Sequence, residues 1–195
     1  MLCSAAFWAC DPRFNSTFVT KDRTRKPCVL FITQENDMFE TIERMLSFSL
    51  GSHVDLKNSD VNQIIRMMED AFSSESCRFV FKYRQSRSIN ASDIASMIED
   101  LYMQGFEVIM LVQDYIKRMK SVENFREQRH LELGAIVDEF SGLIAKRYNI
   151  PVVTGMQLNR EAYTKFETAI KSGNMNALKD LGASNVGESI NVSIS

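Results

Sequence analysis

Three polar side chains that follow apolar runs are the groups in this 195-residue chain best placed to do chemistry. Asp114 comes just after the unbroken apolar stretch Val108 to Val112, Glu35 follows Cys28-Val-Leu-Phe-Ile32, and Gln157 follows Ile150-Pro-Val-Val-Thr154. β-branched and large apolar residues without alternation suit strands covered on both faces, as in a parallel sheet. An acid at the C-terminal end of such a strand stands where open α/β sheets bind ligands. It matches the Walker B pattern of nucleotide-binding proteins, in which the aspartate holds Mg²⁺ through water. A carboxylate on a neighbouring strand can orient and deprotonate an attacking water. An amide at a third strand end can sense a terminal phosphate, because it both donates and accepts hydrogen bonds. Each residue also has a plainer reading. Asp114 would cap a turn, Glu35 would favour a helix macrodipole, and Gln157 would be a solvated loop amide. Convergence of all three on one sheet edge is more than core packing requires.

The elements that must position them alternate along the chain. An apolar helix over 1–10 ends at Asp11-Pro12, and a polar segment over 12–27 leads to a strand over 28–32. Asn36 or Asp37 can cap a helix over 37–50, with Phe39, Ile42, Met45 and Leu46 on one face. Ser59 or Asp60 opens a helix to about Phe72, and Cys77 to Tyr83 reads as a strand. A helix over 91–104 ends at Gly105 before the strand that reaches Asp114. A long helix over 126–148, with Leu131, Ile136, Phe140, Leu143 and Ile144 apolar, ends at Asn149 before the strand over 150–154. A helix over 160–171 and a last strand beginning near 190 complete the expected order. Alternating strands and helices predict one α/β domain over 1–195 with a mainly parallel sheet flanked by helices.

Composition narrows the classes. The net charge of −2 gives no global basic field, so any nucleic-acid surface must be local. No apolar run approaches the roughly 20 residues that span a bilayer, which excludes a membrane-spanning helix. Cys3, Cys10, Cys28 and Cys77 form no C-x-x-C pair, and His53 and His130 are the only histidines, so no zinc set is apparent. Free thiols suit a reducing compartment and a cytoplasmic location.

Three segments carry a family resemblance: V-L-F-I-T-Q-E, V-I-M-L-V-Q-D-Y-I-K-R-M and I-A-K-R-Y-N-I-P-V-V-T-G-M-Q-L-N-R. They resemble successive motifs of DnaB-type replicative helicases, which are hexameric ATPases with a RecA-like core. R-H-L-E-L-G-A-I and the tail G-A-S-N-V-G-E-S are also similar, the tail notably to phage helicases. The resemblance implies that Glu35 activates water, Asp114 holds Mg²⁺ beside ATP, Gln157 senses the phosphate, and Arg160 is the arginine of the Q-L-N-R motif. It implies single-stranded DNA in a ring channel, with Lys117, Arg118, Lys120, Lys165 and Lys171 as candidate contacts; a solvated charged face is the plainer account of them. A homo-hexamer, a primase or loader partner and a host cytoplasm if phage-encoded are further implications. A RecA or RadA-type recombinase, a clock-like ATPase and a non-catalytic interaction subunit are the alternatives.

One departure stands out. No G-x-x-x-x-G-K-[ST] occurs anywhere in the chain. The helix over 1–10 looks like the one that follows such a phosphate loop, so the loop and the strand feeding it are expected upstream of Met1. That strand is expected inside the sheet, beside the one ending at Asp114. The chain is also expected to stop short of the family's final strands and arginine finger, and to lack the primase-interacting domain. Exposed sheet edges then predict poor solubility.

Overall fold

Val29, Leu30, Phe31 and Ile32 have no exposed surface, because β1 (Lys26–Thr33) lies inside a sheet covered on both faces. In the computed structural model, the described residues are 2–10, 20–36, 38–50, 53–56, 60, 62, 63, 66, 77–123, 125, 129–155, 168 and 171. Among them are four parallel strands in the order β2-β1-β3-β4. The others are β2 (Arg78–Tyr83), β3 (Phe106–Asp114) and β4 (Val152–Thr154). The helices are α1 (Leu2–Cys10), α2 (Met38–Leu50), α3 (Ala91–Met103) and α4 (Arg129–Glu139), and α4 continues as a π-helical segment, Phe140–Lys146.

Crossover handedness explains the layers. A right-handed connection that steps one way along a parallel sheet lies on one face, and a connection stepping back lies on the other. The step from β1 to β2 carries α2, whose Met45 packs with Val29, Phe31 and Val112 and with Ala6 of α1. The steps from β2 to β3 and from β3 to β4 run the opposite way and carry α3 and α4. Their Ile94, Ile98 and Ile136 pack with Leu30, Ile32 and Leu111. Alternate residues of β1 and β3 therefore feed two separate cores, which is why neither strand alternates in polarity.

The expected α/β architecture is present, and two details differ from expectation. β3 pairs with β1 from Lys26↔Phe106 to Thr33↔Asp114 and with β4 from Leu111↔Val152 to Gln113↔Thr154. Both edges of β3 are thus taken, and no further strand can sit beside it. A strand feeding α1 would have to join at a sheet edge. Leu131, expected on the apolar face of the long helix, is 47% exposed, while Glu132 is buried. The inward stripe is Glu132, Ile136, Phe140 and Ile144, a spacing of four that the apolar pattern alone does not single out. Glu132 is tolerated inside because Arg87 Nη2 lies 3.1 Å from Oε1 and the Ser121 amide donates to the same oxygen. The start of α3 falls at Ala91 as expected, and a cap fixes it. Asn90 accepts from the Asp93 amide at 3.0 Å and Asp93 accepts from the Asn90 amide at 2.9 Å, a capping box written as N-A-S-D. The helix ends are as read: Gly105 sits at φ +89° after α3, and Asn149 at φ +50° after the π segment. The helix expected over 60–72 falls mostly outside the described residues, as does that over 160–171, and the strand near 190 lies wholly outside them.

Three thiols lie in the interior. Cys10 and Cys77 Sγ atoms are 3.8 Å apart, and Cys28 has no exposed surface. Burial pushes the Cys28 thiol up to about 12, which suppresses its reactive thiolate near neutral pH. Iodoacetamide is therefore expected to spare Cys28 in the folded chain and to label it in urea, as read by peptide mass spectrometry. Labelling at the free-thiol rate without urea would contradict this core.

Candidate active site

The register of β1 against β3 sets the site. Thr33 pairs with Asp114, so the segment Gln34-Glu35-Asn36 leaves β1 directly beside the last residue of β3. The Gln34 amide donates to the Asp114 carbonyl at 2.8 Å, which holds the two strand ends together. The Thr33 hydroxyl lies 3.2 Å from Asp114 Oδ2, and Asn36 Nδ2 makes a longer contact of 3.5 Å with the same oxygen. Thr33 is fully buried, Asp114 half-buried and Glu35 exposed. The site thus grades from a clamped carboxylate on β3 to an accessible one just past β1. The Asp114–Tyr115 peptide is cis.

A second set of bonds lies on the opposite face. Gln113, fully buried, donates from Nε2 to Gln34 Oε1 at 3.2 Å, and Gln34 Nε2 donates to the Gln85 carbonyl at 2.8 Å. The Arg84 amide donates to the Thr33 carbonyl at 2.9 Å. The Thr154 hydroxyl donates to the Gln113 carbonyl at 2.8 Å and accepts from the Ile116 amide at 3.1 Å. The C-terminal ends of all four strands are therefore cross-linked by polar groups. Such bonds are worth about 1 kcal/mol each, yet leaving a buried partner unmade costs more. They fix geometry more than they add stability.

The start of α1 meets the same edge. A Cβ built on Gly155 would lie 3.4 Å from Leu2 Cδ1 and 4.0 Å from Tyr115 Cβ, ordinary contact distances, so the start of α1 adjoins the chain just past β4. Burial raises the Cys3 thiol pKa, and the charge of Asp114 raises it further, which puts Cys3 within the electrostatic reach of that carboxylate.

Among the residues singled out from sequence, Glu35, Asp114 and Arg118 come together. Arg118 ends a 3₁₀ turn, Ile116–Arg118, and its Nη2 is 3.7 Å from Glu35 Oε1. Lys117 on that turn is exposed, and Lys120 follows it half-buried. Lys171 is exposed. Gln157, Arg160 and Lys165 lie outside the described residues. Sequence reasoning passes over Thr33, Gln34, Gln113 and Thr154. The signal is present: each is a polar residue at or next to the end of an otherwise apolar strand. Asn36, read as a candidate helix cap, has its amide drawn to Asp114.

Asp114 could contribute one carboxylate to a divalent cation, and no larger ligand set surrounds it among the described residues. Both protein contacts fall on Oδ2, and among the described residues no group of three or more His, Cys, Asp or Glu forms a metal cage. Mg²⁺ is commonly held by one or two carboxylates, with waters and substrate phosphates completing its octahedron.

A parallel sheet flanked by helices on both faces is the architecture of the RecA-like α/β fold. The model of the divergent DnaB-like ATPase family matches residues 2–172, and the chain belongs to that family. Two solved structures share the fold. One is a DnaB-like replicative helicase, described with its interactions with primase; it is 15% identical, with a TM-score of 0.52 over 71% of this chain and 33% of that one. The other is described as an ATPase domain; it is 13% identical, with a TM-score of 0.50 over 73% of this chain and 60% of that one. The chain thus spans about a third of the first and three-fifths of the second. No curated protein sequence matches it. Among the described residues, no helix is long and apolar enough to cross a membrane.

Proposed function

We propose that this chain supplies the catalytic strand ends of an ATP-driven, DnaB-type helicase motor. The observation that carries this reading is the pairing of Thr33 with Asp114, which sets Glu35 and Asp114 side by side at one sheet edge. In the proposal Glu35 is the general base toward the attacking water. Asp114 holds Mg²⁺, which neutralises charge on the phosphates when bound. Gln157 senses the terminal phosphate, and Arg160 belongs to the same nucleotide site. Lys117, Lys120, Lys165 and Lys171 contact single-stranded DNA in a homo-hexameric ring, through phosphate neutralisation that weakens with salt, while Arg118, expected with them, lies against Glu35 Oε1. A primase or loader is the expected protein partner, and the host cytoplasm the compartment if a phage encodes it. Membership of the DnaB-like family favours this reading over a recombinase.

A phosphate loop preceding α1 would bring its amides to the edge where Leu2 meets Gly155 and Tyr115. The chain joined to such a loop and its strand is termed the complete subunit below. In it, Glu35→Gln is expected to lower ATP turnover by about 10³-fold, the middle of the range that general-base catalysis contributes. Nucleotide affinity should hold, because glutamine keeps the shape and removes only the base. Steady-state kinetics with a fluorescent ATP analogue for affinity tests this. Unchanged turnover would remove Glu35 from the chemistry.

A further inference from the structure

We infer that Arg118 is a positioning residue for the Glu35 carboxylate, reaching it from the Asp114 side of the site. The inference rests on the reading of Glu35 as general base. Its observations are separate and concern how Arg118 is held.

The backbone of Arg118 is fastened on several sides. Its amide donates to the Tyr115 carbonyl at 3.0 Å, and its carbonyl accepts from the Arg87 amide at 2.7 Å. Arg87 is itself tied to buried Glu132, and the turn begins at Ile116, whose amide bonds the Thr154 hydroxyl of β4. The guanidinium lies 5.7 Å from the Tyr115 ring centroid, and its Nε is buried with no acceptor. Arg118 therefore projects from a backbone fixed on both sides, with its Nε buried and its side chain 43% exposed, and Nη2 is presented to Glu35 Oε1 at 3.7 Å.

Glu35 is held far less firmly. Its amide makes only a 3.5 Å contact with the Thr33 hydroxyl, and its side chain, like that of Arg118, is partly exposed. A glutamate in that setting samples several rotamers. A general base must instead stand within hydrogen-bond reach of its proton, and displacements of about an ångström slow reactions strongly. Engaging Oε1 with a fixed cation narrows the rotamers and leaves Oε2 for the proton. Stability does not account for the pair, since ion pairs this exposed contribute little. From sequence, Arg118 stands as a candidate DNA contact beside Lys117 and Lys120.

The test is made on the complete subunit. Arg118→Ala is expected to lower kcat about ten-fold or more, with KM for ATP and affinity for a fluorescent ATP analogue unchanged. Arg118→Lys should recover part of the loss, and Glu35→Gln/Arg118→Ala should be no slower than Glu35→Gln alone. Wild-type kcat in Arg118→Ala would overturn the inference. So would a loss of affinity matching the loss of kcat/KM, which would put the guanidinium on the phosphates, or a fully additive double variant. A wild-type subunit that binds the analogue but does not hydrolyse ATP, or does neither, overturns the reading of Glu35 and this inference with it. If Arg118→Ala melts well below wild type, Arg118→Lys and Arg118→Gln carry the comparison, and wild-type kcat in both overturns the inference.

Discussion

Asp114→Asn is expected to cut Mg²⁺-dependent ATP turnover of the complete subunit by about a hundred-fold, the equivalent of about 3 kcal/mol of transition-state stabilisation. Asparagine matches aspartate in size, and its Oδ1 can still accept from the Thr33 hydroxyl, which now lies 3.2 Å from Asp114 Oδ2. The strand ends stay joined in any case, because the Gln34 bond uses the Asp114 carbonyl rather than its side chain. What the substitution removes is the negative charge that a hard cation needs. The apparent affinity for Mg²⁺ should fall together with the rate, and raised Mg²⁺ should restore part of it. A variant with wild-type Mg²⁺ dependence would show that Asp114 serves the fold alone.

Phe31→Ala is expected to destabilise the chain by about 3–5 kcal/mol. Phe31 has no exposed surface and lies on the central strand, with its ring 6.1 Å from Phe79 and 5.8 Å from Phe81 of β2. Its removal leaves a cavity between β1 and β2 under α1 and α2, where a close-packed interior relaxes only in part. Total domain stabilities of about 5–15 kcal/mol make such a loss close to the whole margin. Urea unfolding followed by circular dichroism reads the change. A midpoint close to wild type would contradict the packing of that layer. The two substitutions separate the roles of neighbouring strands: Asp114→Asn should change rate without stability, and Phe31→Ala stability first.

Much of this is legible in the chain. The runs at 28–32 and 108–112 have no polar interruption, which suits strands buried on both faces and a parallel sheet with helices between strands. The acids after those runs then fall on one edge by topology, without any knowledge of side-chain contacts. Register is not legible. Whether Glu35 lies beside Asp114 depends on Thr33 pairing with Asp114 and on the irregularity at Cys28/Val29 that sets the offset. Uniformly apolar strands carry no pattern that marks one register over another. Arg118 escapes a reading by sequence for a related reason. Its partner is 83 positions away in sequence, and a basic residue among lysines looks solvated until a fold brings a carboxylate to it. The strand feeding α1 is wrongly expected beside β3 because the order of strands in a sheet follows from crossovers, and composition does not record them. Leu131 and Glu132 show the limit of periodicity: one residue of helical rotation exchanges a leucine for a glutamate in the buried stripe, and only the Arg87 partner makes that choice acceptable.

In the proposed reading this chain holds the water-activating and metal-holding groups of a nucleotide site that a phosphate loop completes. The amides and lysine of a phosphate loop supply most contacts to the nucleotide, and no such motif occurs in the sequence. The most direct measurement is ATP turnover by the 195-residue chain beside that of the complete subunit, with and without Mg²⁺. The account predicts background hydrolysis by the chain alone, and Mg²⁺-dependent hydrolysis by the complete subunit that Glu35→Gln abolishes. Mg²⁺-dependent turnover by the chain alone, abolished by Glu35→Ala, would contradict it, as would a complete subunit that binds no nucleotide.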